Sequence, residues 1–219
     1  MSFRLSSAIV AAIFLTACGP DASPPAAKDA AADPAARART IAHDNIIIDT
    51  HIDVPYRLEE VPADVSVATD HGDFDYPRAV AGGLNAPFMS IYTPARLEAE
   101  GRSREVAEGL IDLVEGLVAN APDKFAIATS PADIEKQFAA GLISLPMGME
   151  NGSPIEGELA NVKHFFDRGI RYITLAHGLS NHISDSSYDE NRQWGGLSEF
   201  GEEVVREMNR LGMMVDISH

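Results

Sequence analysis

The chain has 219 residues, of which 45% are hydrophobic and 23% charged, and its formal net charge is −16. This is an ordinary globular composition, long enough for one domain or two small ones. The acidic balance excludes nucleic acid as a partner, since that needs a basic surface, and a lone cysteine excludes an internal disulfide framework.

Residues 1–17 read as a signal peptide: Arg4 supplies the positive start, and Ala8 to Leu15 is an apolar run too short to span a bilayer. Leu15-Thr16-Ala17-Cys18 follows and resembles the lipobox of bacterial lipoproteins. That resemblance implies cleavage before Cys18, lipidation of its thiol and new amino group, and a membrane anchor on a periplasm-facing lipoprotein. Gly19 rather than Asp after the cysteine implies transport to the outer membrane. A plain secretory signal is the alternative. Residues 18–38 are rich in Ala, Pro and Asp with almost no large apolar side chain, and read as a disordered tether. The folded part is expected over residues 39–219, beginning near Arg37 to His43 with a short helix leading into the first strand.

Ile46-Ile47-Ile48 reads as a strand buried on both faces. It runs into His51-Ile52-Asp53, and alternation in a strand puts His51 and Asp53 on one side, about 7 Å apart. An imidazole and a carboxylate so placed can grip one metal ion; two solvated polar residues leaving a core strand are the alternative. Leu84 to Tyr92 is a strand pattern. Arg102 to Ala119 carries Val106, Leu110, Leu113, Val114 and Leu117 at helical spacing. Phe125 to Ala128 reads as a short strand, and Ser130-Pro131 opens a helix as N-cap and first residue.

Three times a glycine then stops a helix and an apolar strand follows: Gly141 before Leu142–Glu150, Gly169 before Ile170–His177, Gly212 before Met213–His219. Helix, short loop and apolar strand in repetition mean a parallel sheet. Each of these strands ends in a residue able to bind metal or move protons. Carboxyl ends of parallel strands converge in barrel and open α/β enzymes, so His51, Glu150, His177 and His219 are expected to meet.

The chain resembles the membrane dipeptidase (renal dipeptidase) family of metal-dependent hydrolases. The matching stretches are Asp49-Thr50-His51-Ile52-Asp53-Val54-Pro55, Met89–Pro94, Gly148–Gly152, Tyr172–His177, Gly196–Gly201 and Asn209 to His219, in family order. The resemblance implies a (β/α)8 TIM barrel, about five or six of whose strands are visible in this chain. It also implies two zinc ions: His51 and Asp53 on the first, Glu150 bridging both, His219 on the second. His177 matches the family's substrate-binding histidine. The implied reaction is hydrolysis of dipeptides, including those with a C-terminal D-residue, by a metal-activated water, and the implied assembly is a homodimer.

The family's second histidine on the second zinc, its substrate-carboxylate arginine and its late aspartate have no counterpart here. The chain is therefore expected to be the N-terminal part of a longer protein, and to bind the second zinc poorly and hydrolyse little by itself. Another metal hydrolase on the same barrel (a deacetylase, lactonase or phosphoesterase) and a tethered binding lipoprotein without catalysis remain as rival readings. His43, His71 and His164 are read as residues without function. His182, Asp185 and Trp194 fall in the long loop Gly178 to Gly195 beside the expected site, where they either shape the substrate's surroundings or anchor the loop.

Overall fold

The computed structural model describes residues 33–219. The expected signal peptide and Cys18 lie outside the described residues. Within them a helix, α1 (Pro34–Asp44), begins inside the span expected to be tether. Asp33 caps it, accepting from the Ala35 N–H, and Pro34 holds the first helical position. A short helix before the first strand is as expected, but it starts earlier; it buries no residue, so its first turns, in which alanine and arginine favour helix without offering apolar surface to a core, read as tether.

The remaining elements, in chain order, alternate as expected. They are β1 (Ile47–Ile52), α2 (Val54–Glu60), α3 (Tyr76–Gly82), β2 (Leu84–Tyr92), α4 (Arg96–Ala99), α5 (Ser103–Asn120), β3 (Phe125–Ile127), α6 (Pro131–Ala139), β4 (Ile143–Leu145), β5 (Met147–Glu150), α7 (Ala160–Asp167), β6 (Ile170–Thr174), α8 (Glu199–Leu211) and β7 (Met214–Asp216). Gly141, Gly169 and Gly212 all take the left-handed backbone that ends a helix, with φ of 76°, 100° and 75°.

Five strands form one sheet in the order β1-β2-β5-β6-β7, and every pairing in it is parallel. β3 and β4 pair separately, also parallel. The result is a curled half-barrel with helices on its outer side, the incomplete TIM barrel that the alternation predicts. Pleating sends Met89, Ile91, Met147, Met149 and Ile173 to the outer side, where all are fully buried in the core shared with α5, α7 and α8. Ser90, Gly148, Glu150, Tyr172 and Thr174, the alternate residues, face the concave side.

Two expectations need correction. The run Leu142–Glu150 is not one continuous strand. Pro146 has no N–H to give a ladder and divides β4 from β5, although its carbonyl still accepts from Met89 N–H at 2.8 Å. Nor is β1 buried on both faces: Ile47 and Ile48 are 37% and 48% exposed. β1 lies at one edge of the sheet, with β2 its only ladder partner among the described residues. A run of β-branched residues reports a preference for burial, not a place in the sheet order.

Candidate metal centre

The carboxyl ends of β1, β5, β6 and β7 bring five side chains to one mouth. His51 is on the last turn of pleat in β1. Asp53 follows directly at the N-terminal boundary of α2, where its carboxylate makes no cap bond. Glu150 is the last residue of β5. His177 lies three residues past β6, and His219 three past β7.

Glu150 stands at the centre, with its side chain only 9% exposed. Its Oε2 is 3.2 Å from His51 Nε2 and accepts from Ser90 Oγ at 3.2 Å. Its Oε1 is 3.4 Å from His177 Nε2 and 3.3 Å from His219 Nε2. Asp53 Oδ1 is 3.3 Å from His51 Nε2. Donor atoms therefore fall into two groups, His51–Asp53–Glu150 and Glu150–His177–His219, each gathered within 4.8 Å, with Glu150 common to both. All four expected ligands converge. His177, matched to a substrate contact by resemblance, also comes within ligand distance of the second group.

Charge in the site follows from these contacts. The Asp53 carboxylate, then the Glu150 carboxylate, hold the His51 proton and push its pKa up to about 10. The same contact with His51 holds Asp53 below the usual carboxylate range. Burial pushes His177 the other way, below the ordinary imidazole value, against the pull of Glu150.

The donor set fits divalent cations. Imidazole nitrogens and carboxylate oxygens suit zinc and its neighbours, and a carboxylate with one oxygen toward each group suits a bridge. His219 Nδ1 is buried without a hydrogen-bond partner among the described residues. That leaves the ring held by contacts on one side while Nε2 faces Glu150.

Several contributing residues escape a reading of the sequence. Ser90 supports Glu150 from β2. Tyr172 lies 2.7 Å from His51 Nδ1 through its hydroxyl. Asp216 orders the turn into His219, accepting from Ser218 N–H at 3.0 Å and Ser218 Oγ at 2.9 Å. Tyr92 meets the His177 ring edge-on at 4.9 Å. Alternation from Glu150 and from Thr174 marks Gly148 and Tyr172 as concave-side residues; only the sheet order tells what they face.

The loop after β6 is tied down from within. Asp185 accepts from the N–H groups of Gln193, Trp194, Gly195 and Gly196. Trp194 donates its indole N–H to Asn181 O at 2.9 Å. His182 pairs with Glu98 at 2.7 Å. These three residues anchor the loop. The loop borders a cavity of about 320 Å³ lined by Ser184, Asp185, Ser186, Arg192, Asp216 and His219. His164 pairs with Glu108 on the outer helices, away from the site.

Comparison with known proteins agrees with this fold. The model of the family described as membrane dipeptidase (peptidase family M19) matches residues 35–219. Dipeptidase aclJ of Aspergillus oryzae is 38% identical over 162 residues, which is 69% of this chain and 38% of that protein. Dipeptidase 3 of Mus musculus is 31% identical over 198 residues, 85% of this chain and 39% of that protein. The chain thus spans less than half the length of these curated relatives. Among solved structures, the probable dipeptidase PvdM from Pseudomonas aeruginosa has the same fold with a TM-score of 0.72 at 24% identity, over 84% of this chain and 49% of that one. A metallopeptidase from Rhodobacter sphaeroides, solved with a phosphinate mimic of L-Ala-D-Ala, gives 0.70 at 24% identity, over 80% of this chain and 58% of that one. On the family match over residues 35–219 and the parallel half-barrel beneath it, this chain belongs to the membrane dipeptidase family, peptidase family M19.

Proposed function

We propose that the protein hydrolyses dipeptides at a two-zinc centre. The observation that carries this reading is Glu150: one carboxylate, nearly buried, with one oxygen in each of two donor groups. His51 and Asp53 would hold the first cation, Glu150 both, and His219 the second. Two such ions would supply an acidified water and a Lewis acid for the scissile carbonyl.

The chain's own residues supply the rest. His177, whose pKa burial lowers and whose ring the Tyr92 ring meets edge-on, would donate a hydrogen bond to the oxygen that gains charge as the amide is attacked. Ser90 steadies Glu150 by donating to it. The loop tied by Asp185 walls a cavity of about 320 Å³ beside His219, next to one of about 630 Å³ lined by His51, Glu150 and His219 themselves; both are in the range of small-ligand sites. Arg192 on the wall of the smaller cavity offers a positive charge to a terminal carboxylate. Tolerance of a C-terminal D-residue is supported by the Rhodobacter relative, which was solved with a mimic of L-Ala-D-Ala.

A lipid-anchored, envelope-facing placement through Cys18 and a homodimeric assembly complete the reading. The first rests on Leu15-Thr16-Ala17-Cys18 and the second on family resemblance. The test is turnover by the purified protein, expressed from its complete gene, of Ala-D-Ala and Ala-Ala beside a lactone, an acetylated amine and a phosphomonoester. Dipeptide turnover abolished by chelation and restored by zinc is expected. Faster turnover of a non-peptide, or indifference to chelation, would overturn the reading.

A further inference from the structure

We propose that Tyr172 is the positioning residue for His51, and that Gly148 is a glycine in order to let Tyr172 reach it. This rests on the reading of His51 as a metal ligand. In the sheet order β1-β2-β5-β6, two strands separate His51 from Tyr172, so no ladder contact can join them. The tyrosine instead crosses the concave side. Its ring is 7% exposed, packs on Phe88 of β2 at 5.5 Å between centroids and lies stacked beside the His51 ring at 6.4 Å. Its hydroxyl ends 2.7 Å from His51 Nδ1.

The crossing passes directly over β5 at Gly148. A Cβ on that residue would lie 1.9 Å from Tyr172 Cζ and 2.0 Å from Cε1. Gly148 is not one of the residues with positive φ, so its backbone conformation does not call for glycine; the space does. Any side chain at position 148 would push the phenol off its line to His51.

The consequence for His51 is chemical. A neutral imidazole carries one N–H and one lone pair, and the partner of one nitrogen decides the role of the other. With a cation on Nε2, Nδ1 would keep its proton and donate it to the phenol oxygen 2.7 Å away. Nε2 is the nitrogen that faces Asp53 and Glu150. Tyr172 thereby fixes the ring plane of a residue that, among the described residues, has no other polar contact on its Nδ1 side.

The experiment compares wild type, Tyr172→Phe, Gly148→Ala, the double variant and His51→Ala. Zn²⁺ is titrated alone, its binding followed at the His51 ring nitrogens by ¹⁵N NMR where that ring is present and by chelator competition throughout. Tyr172→Phe keeps the ring and its packing, so the denaturant midpoint should stay close to wild type while zinc affinity falls by about 10–100-fold. Gly148→Ala should weaken zinc to a similar degree, with no further loss in the double variant. If Tyr172→Phe binds zinc like wild type while His51→Ala does not, the positioning role is refuted and the ligand role of His51 stands. If His51→Ala also binds like wild type, both are refuted. Losses that add in the double variant would separate Gly148 from Tyr172 and overturn the spatial argument.

Discussion

Gly201→Ala is the substitution on which helix propensity and packing disagree most sharply. Gly201 is in the first turn of α8, where alanine would gain about 1 kcal/mol from propensity alone. The surroundings forbid it. A Cβ at this position would lie 2.0 Å from the Ile183 carbonyl oxygen, 3.0 Å from its carbon and 3.3 Å from Ser198 Oγ. None of these is the movable tip of a long side chain. Ile183 is fully buried, its carbonyl accepts from Ser198 N–H at 2.9 Å, and Ser198 Oγ caps α8 by accepting from Gly201 N–H at 2.9 Å. Making room means parting α8 from the loop by more than an ångström. That costs overpacking of roughly 1–3 kcal/mol, a hydrogen bond worth about 1 kcal/mol and part of a cap worth about 1 kcal/mol. Set against the propensity gain, the net loss is about 2–4 kcal/mol. Chemical denaturation should show the midpoint fall with little change in slope, and a melting scan should fall by roughly 4–16 °C at about 2–4 °C per kcal/mol for a chain of this size. An unchanged or raised midpoint would refute the claim that the loop and α8 meet through backbone at this point.

Two further outcomes are expected. Asn181 is buried and its side chain makes four hydrogen bonds among the described residues, donating to Leu175 O and Asn151 Oδ1 and accepting from the N–H groups of Ile183 and Ser184. Asn181→Ala strands several of these partners and should cost about 2–4 kcal/mol in a denaturant titration; a loss under about 1 kcal/mol would mean water replaces them freely. Asp75 is held well below the usual carboxylate range by the Arg78 guanidinium at 2.9 Å and by the Thr69 and Arg78 N–H groups. A depressed folded value contributes stability above the unfolded value of about 3.9 and loses it as pH falls through the range below. Wild type should therefore exceed Asp75→Asn in urea midpoint at pH 7, and the gap should narrow by pH 3. A gap that stays constant would show that Asp75 acts through shape, not charge.

The repeating glycine stops made the βα alternation legible, and the polar residue at each strand end made the site legible. Both are local signals: a left-handed cap and a change of side-chain type at the end of an apolar run. Pro146 is a local signal too, since a proline inside Leu142–Glu150 forbids a continuous ladder, but the apolar run around it masks the break. Asp33-Pro34 carries the same cap-and-first-turn signature as Ser130-Pro131, but sits in a stretch whose composition suggests a tether. The exposure of Ile47 and Ile48 and the span from Tyr172 to His51 are of another kind. They depend on which strand lies beside which, and 121 positions separate the two partners of that hydrogen bond. The same limit hid the Asp185 carboxylate among four backbone N–H groups, because acidic loop residues look alike until the loop closes round one of them.

Glu150 is the proposed group shared by two cations. The direct measurement is zinc content and Ala-D-Ala turnover of the purified protein, wild type beside Glu150→Gln. An amide keeps the shape but loses the charge and one acceptor oxygen, so zinc content and turnover should fall together. Equal zinc and equal turnover in the two proteins would contradict the account.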